Sequence, residues 1–169
     1  DLLKWCPDII RMIHTDCSEI KAGALSGAAR SFSLHAWGNP WFALSLPWRR
    51  WRLRIADWPA ETNWLVRRAL LKDGATGQSA AIAWQGHCQS RWLEKTRPQM
   101  VLWPWEHHGW ERRLARQAHQ LGVKTIGYQH SVVGKRHWVH VPASDPNSSI
   151  HLPARIVCSG PFWQRILEA

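Results

Sequence analysis

The chain has 169 residues and carries 22 Lys and Arg against 12 Asp and Glu, a formal net charge of +10. That length supports a sizeable core, and the charge suits an anionic partner (nucleic acid, a phospholipid surface or a nucleotide-linked substrate) unless it serves solubility alone. No apolar run approaches the roughly 18 residues that cross a bilayer, and Cys6, Cys17, Cys88 and Cys158 form no CxxC pair, a pattern of reduced structural thiols in a cytoplasmic protein. Fourteen tryptophans are many for this length. Because Trp is large and its N–H seeks a partner, some of these rings should line a groove or lie on a surface.

In chain order, residues 7–13 read as a short helix with Ile9, Ile10 and Ile13 on one side, and residues 23–29 are small and flexible. Gly38, Pro40, Pro47 and Pro59 break residues 31–60 into loop with short helical turns. A helix is predicted over 61–72, entered at Thr62 or Asn63 and closed by Asp73-Gly74. A longer one is predicted over 76–95, with Ala81, Trp84, Cys88 and Trp92 as its apolar face, ended by Arg97-Pro98. Strands are predicted over 100–103, 123–128 and 155–158, all three buried and parallel. Between the first two lies a helix over 109–121 with the stripe Trp110, Leu114, Ala118 and Leu121, stopped by Gly122. Residues 131–152 form a long polar loop, and Gly160-Pro161 opens a last helix. The chain stops at Ala169 inside that helical pattern and starts without Met, so a piece of a longer protein is expected.

The reactive side chains follow the strands. PWEHHGWE (Pro104 to Glu111) comes after the first and GYQHS (Gly127 to Ser131) after the second, and open α/β sheets gather ligand chemistry at the carboxyl ends of their strands. Glu106 is placed to act as general base towards a sugar hydroxyl. Glu111 lies in the first turn of a helix, where an acid also stabilises the helix dipole, so a positioning role suits it better. Histidine as a residue type can take or give a proton near neutral pH, so His107, His108 and His130 are candidate proton carriers unless they serve as turn residues.

Other motifs bound the reading. His137 and His140 make HxxH, but in a loop without a helical HExxH frame or a Cys pair, so no metal site is assigned. WRRWRLR (Trp48 to Arg54) alternates cations with aromatics. It suits lipid headgroups, where Trp anchors and Arg pairs with phosphate, or nucleic acid, or a solvated helix face. No recognised nucleic-acid motif accompanies it, which disfavours that partner. No GxGxxG and no GxxxxGK[ST] is present, so the usual phosphate-cradling loop is missing.

The run VLWPWEHHGWERRLARQAHQLGVKTIGYQHSVVG, followed after a loop by LPARIVCSGPFWQRIL, resembles bacterial surface-carbohydrate biosynthesis proteins, which look like GT-B glycosyltransferases. The matching features are the acidic strand end at Glu106, the Trp110-Glu111 pair opening a helix, the turn Tyr128 to Ser131, and the closing strand Pro153 to Gly160. The likeness spans roughly residues 98–169 and its motifs are specific only together.

The resemblance implies two Rossmann-like domains facing a cleft, an N-terminal one for acceptor and a C-terminal one for the sugar nucleotide. Glu106, Glu111 and His130 then fall on the acceptor side as catalytic candidates. His107, His108, Trp110, Tyr128, Gln129, Ser131, Lys135 and Arg136 become candidates for substrate binding. The expected organisation is an irregular, helical segment over 1–60 and an α/β domain over 61–169, a Rossmann-like parallel sheet flanked by helices. The sugar-nucleotide site falls outside this chain, which by itself would not turn over. The acceptor is a saccharide or lipid-linked saccharide, no resident cofactor is implied, and the setting is cytoplasmic, peripheral to the inner membrane. A different class remains open: a non-catalytic, basic, Trp-rich module that binds anionic membrane or nucleic acid. A hydrolase or epimerase on the same fold is a third option, since fold does not set function.

Overall fold

Ile10 and Ile13 lie in a strand, β1 (Ile10–Ile13), where the spacing of isoleucines suggested a short helix. β1 pairs in parallel with β2 (Arg30–Ser33), from Ile10 opposite Arg30 to Ile13 opposite Ser33. β-Branched side chains favour a strand once a partner is present, and that partner lies far along the chain. The helix α1 (Glu19–Ala24) falls between the two strands and packs on β2. The expected irregular N-terminal segment thus contains a small strand–helix–strand unit. The computed structural model describes residues 8–13, 19–24, 30–49, 60–73, 76–129 and 148–168. The chain divides into two compact units, Asp1–Cys88 and Gln89–Ala169.

The rest of the first unit follows its capping residues. Ser33 Oγ accepts the His35 N–H at 3.2 Å and starts a 3-10 turn over Leu34–Trp37. Asn39 Oδ1 accepts the Trp41 N–H at 2.9 Å and starts α2 (Pro40–Ser45), with Pro40 in the tolerated first position. A second 3-10 turn, Leu46–Trp48, continues it. These are the short helical turns expected there. α3 (Ala60–Asp73) and α4 (Gly77–Thr96) follow close to their expected bounds. Trp84 of α4 donates its indole N–H to His35 Nδ1 at 2.8 Å. The Phe42 ring stacks on His87 at 3.9 Å. Gly38 packs so tightly that a Cβ there would lie 2.1 Å from Trp84 Cη2.

The predicted face of α4 is only partly the buried one. Ala83, Cys88, Gln89 and Leu93 are buried, whereas Ala81 is exposed. Ala80 to Trp84 is apolar on every side of the helix, so spacing alone does not select a face. Cys88 is buried and Cys158 half-buried, neither in a disulfide; Cys6 and Cys17 lie outside the described residues.

The second unit is built on three parallel strands in the order β3 (Met100–Pro104), β4 (Lys124–Gln129), β5 (Arg155–Cys158). Register places Pro104 opposite Tyr128 and Tyr128 opposite Val157, so the three carboxyl ends share one edge. α5 (Gly109–Gln120) crosses between β3 and β4, and α6 (Pro161–Glu168) follows β5. Leu114, Ala115 and Ala118 of α5 join Val101, Trp103, Trp105, Val123 and Leu93 in one core. Fully burying a Val or Leu side chain contributes about 1.5–3 kcal/mol. The expected α5 stripe holds, with Trp110 and Leu121 packed at the margin of that core.

α5 stops as its sequence suggests. Gly122 takes φ 69°, its N–H bonds to His119 O, and the Val123 N–H bonds to Ala118 O at 2.9 Å. This paired closure satisfies the last carbonyls, and a left-handed glycine makes it possible.

One expectation fails. The strands are not buried on both sides: Met100, Leu102, Tyr128 and Val157 are exposed. Strand side chains alternate between faces, so the residues that avoid the α5 face emerge on the other one, which no described helix covers within this unit. No helix among the described residues is long and apolar enough to cross a membrane.

Gly127 sits where β4 meets Trp105 and Pro153. A Cβ there would lie 2.9 Å from Trp105 Cβ and 2.8 Å from Pro153 Cγ. Gly127→Ala is expected to destabilise the chain by about 1–3 kcal/mol through overpacking. Gly109→Ala, with nothing within 4 Å of its Cβ, is the neutral comparison. Urea melts of both variants check this, and equal midpoints would refute the close approach.

Candidate functional site

The loop from β3 to α5 is assembled by a buried acid. Trp105 is fully buried, and its N–H bonds to Tyr128 O at 2.8 Å, extending the β3–β4 ladder by one residue. The chain then turns outward. Glu106 is exposed, and His107 adopts φ 65°, a left-handed conformation rare outside glycine. His108 ends the loop as the N-cap of α5, without a side-chain cap bond. Glu111, in the first helical turn, fastens the loop ahead of the cap. Its Oε2 accepts both the Glu106 N–H and the His107 N–H at 2.9 Å each. A left-handed residue of this kind costs on the order of 1–3 kcal/mol, and these two bonds, with the His107 ring 4.4 Å from Trp105, hold it.

Glu111 is 1% exposed, and its Oε1 has no hydrogen-bond partner among the described residues. Burial raises its carboxyl above the ordinary carboxylate value, an effect opposed by the N–H bonds from Glu106 and His107 and by the His108 charge. The nearby Glu106 charge pushes in the same direction as burial. Charged, the group favours the loop bonds; neutral, it escapes a desolvation cost.

Two exposed groups meet above this clamp. His108 Nε2 lies 3.0 Å from Glu106 Oε2, with side-chain exposures of 57% and 42%. An imidazole hydrogen-bonded to a carboxylate through one ring nitrogen keeps the other free to accept a proton. Glu106, His108 and Glu111 each offer one ligand atom, all within 4.8 Å of one another. Carboxylate and imidazole donors suit a divalent ion. The Glu106–His108 contact and the backbone bonds to Glu111 account for the clustering without one.

The sequence-based candidates divide into three groups. Glu106, His107, His108, Trp110 and Glu111 come together in and just after the β3–α5 loop. Trp110 is half-buried against the core, and Glu111 is buried in the loop clamp. Tyr128 and Gln129 end the neighbouring strand at the same sheet edge. Tyr128 is exposed on the face opposite α5, and Gln129 is buried. His130, Ser131, Lys135 and Arg136 lie outside the described residues, as do His137 and His140.

Sequence reasoning missed Trp105, which supports the His107 ring and ties the loop to β4. The available signal was its position two residues beyond Trp103, which continues the inward-facing alternation of the strand past Pro104.

Compared with protein-family models, characterised proteins and solved structures, the chain matches none.

Removing the clamp tests its role. Glu111→Ala leaves two loop N–H groups without their acceptor and is expected to cost about 1–3 kcal/mol of stability. The raised carboxyl adds a pH signature: the folded chain holds that proton more tightly than the unfolded chain. Its contribution to stability is therefore full below the unfolded carboxylate range and lost as pH rises through the raised value. Glu111→Gln keeps an acceptor oxygen and lacks this titration. Its stability relative to the parent should rise from acid to neutral pH in urea melts, and a pH-independent difference would contradict the assigned burial.

Proposed function

We propose that this chain supplies the acceptor-side α/β unit of a glycosyltransferase-like enzyme of bacterial surface polysaccharide assembly, working in the cytoplasm and at the inner membrane. What supports this most is the exposed Glu106–His108 pair at the carboxyl edge of a parallel sheet. Parallel α/β proteins bind and transform ligands at that edge. The strand–helix–strand order β3–α5–β4 agrees with a Rossmann-like layout, and the surface-carbohydrate resemblance of residues 98–169 supplies the reaction class.

In this reading Glu106 accepts the Nε2–H of His108 and leaves Nδ1 as the basic nitrogen. His108 removes the proton of an acceptor hydroxyl as its oxygen bonds to the anomeric carbon. The bond from that carbon to the nucleotide phosphate breaks, and the nucleotide leaves with the electron pair. Glu111 keeps the loop in shape, and Tyr128 offers a hydroxyl and an aromatic face to a sugar at the neighbouring strand end. Donor binding belongs to chain outside this one.

The test uses the full-length protein. His108→Gln and Glu106→Gln are each expected to lower transfer by about 10²–10⁴-fold, the range of a general base, with unchanged thermal unfolding. Transfer that survives both substitutions would remove the pair from the reaction. Calorimetric titration of this 169-residue chain with sugar nucleotides is expected to show little binding, and tight binding would place the donor site here.

A further inference from the structure

We propose that the outward face of α2 and its 3-10 extension docks this chain on an anionic lipid surface. Trp41, Leu44 and Trp48 are 77%, 60% and 80% exposed. They fall at positions i, i+3 and i+7 of one continuous helical run from Pro40 to Trp48, spacing that lines one side of a helix. The inward side is already satisfied, because Phe42 stacks on His87 and tilts against Trp84. The segment therefore has two apolar sides, one packed and one facing water. Large apolar side chains grouped in this way on a surface mark an interaction site.

The charge beside the stripe identifies its occupant. The Arg49 guanidinium lies 4.0 Å from the centre of the Phe42 ring, and its Nε–H donates to Ser45 Oγ at 2.8 Å. That holds a cation on the Phe42 ring, one residue beyond Trp48. The sequence then adds Arg50, Arg52 and Arg54, within a chain of net charge +10. α3 repeats the combination, with Trp64, Leu65 and Leu71 exposed beside Arg67, Arg68 and Lys72.

A membrane interface fits this arrangement better than its rivals. Trp prefers the headgroup level of a bilayer, and an apolar helix face with flanking cations binds in the interfacial plane of anionic lipid. The buried centres of protein interfaces are depleted in charged residues, whereas here Arg49 directly follows Trp48, and Arg50, Arg52 and Arg54 come next in sequence. Single-stranded nucleic acid is held by stacking on aromatics, and Leu44 in the middle of the stripe offers no ring. This inference does not depend on the glycosyltransferase reading.

Co-sedimentation of the intact chain with lipid vesicles tests it. Vesicles of phosphatidylcholine containing about a quarter phosphatidylglycerol are expected to bind at least about tenfold more tightly than pure phosphatidylcholine, and the difference should shrink with salt. The triple substitution Trp41→Ala, Leu44→Ser, Trp48→Ala is expected to lower binding about tenfold or more, with an unchanged thermal midpoint because all three side chains are exposed. Arg49→Gln is expected to weaken binding to the anionic vesicles while leaving binding to phosphatidylcholine unchanged. No binding to anionic vesicles, or binding that the triple variant retains, would overturn the proposal. So would an oligonucleotide that binds more tightly than the vesicles and is lost in the same triple variant.

Discussion

The bonds from Glu106 and His107 N–H to the Glu111 carboxylate are the constraint on which the site depends. They close a four-residue loop (105–108) between a strand and a helix, satisfy two amides that the sheet no longer pairs, and hold His107 where its backbone would not settle unaided. Without that closure Glu106 and His108 would be two residues of a free loop; with it they face each other at 3.0 Å. The carboxylate performs this role from a buried position, so the loop keeps its shape against a desolvation cost that raises the carboxyl's affinity for a proton.

The sheet beneath the loop is dressed unevenly. α5 covers one face with Leu114, Ala115 and Ala118, while Met100, Leu102, Tyr128 and Val157 stay open on the other. The first unit treats its aromatic residues in a similar two-sided way: Phe42 and Trp84 are drawn into contacts with His87 and His35, and Trp41 and Trp48 are left to solvent. Burial in each unit is local and one-sided. The abundance of tryptophan therefore shows both as packing and as exposed surface, as expected for a ring too large to bury wholly and polar at one end.

Much of the second unit could be read directly from residue order. The strand at Val101, the α5 stripe of Leu114 and Ala118, the stop at Gly122 and the third strand near Arg155 all carry short-range signals: alternation, a helical period, a left-handed glycine. The cluster of Glu106, His107, His108, Trp110 and Glu111 was legible because the five residues are neighbours in sequence. The first unit was less so. Ile10 and Ile13 gave a spacing compatible with a helix, and their strand exists through pairing with residues 30–33, which no local pattern announces. Ala81 was misplaced on α4 because apolar residues surround that turn.

The sequence by itself determined the order of elements in the carboxyl-terminal half and the types of side chain delivered to its strand ends, since these follow from local periodicity and turn chemistry. Tertiary structure decided what those side chains do. Glu111 at a helix start reads equally well as a dipole partner, a base or a clamp; only its depth and the direction of its carboxylate choose the clamp. Likewise residues 31–60 read in sequence only as loop with short helical turns, and the structure decided that Trp41, Phe42, Leu44 and Trp48 share one helical run with Phe42 turned inward against His87 and the other three outward. Propensity acts within a few residues, whereas burial is set by whatever the fold brings alongside, and that is why the second kind of information is missing from the linear chain.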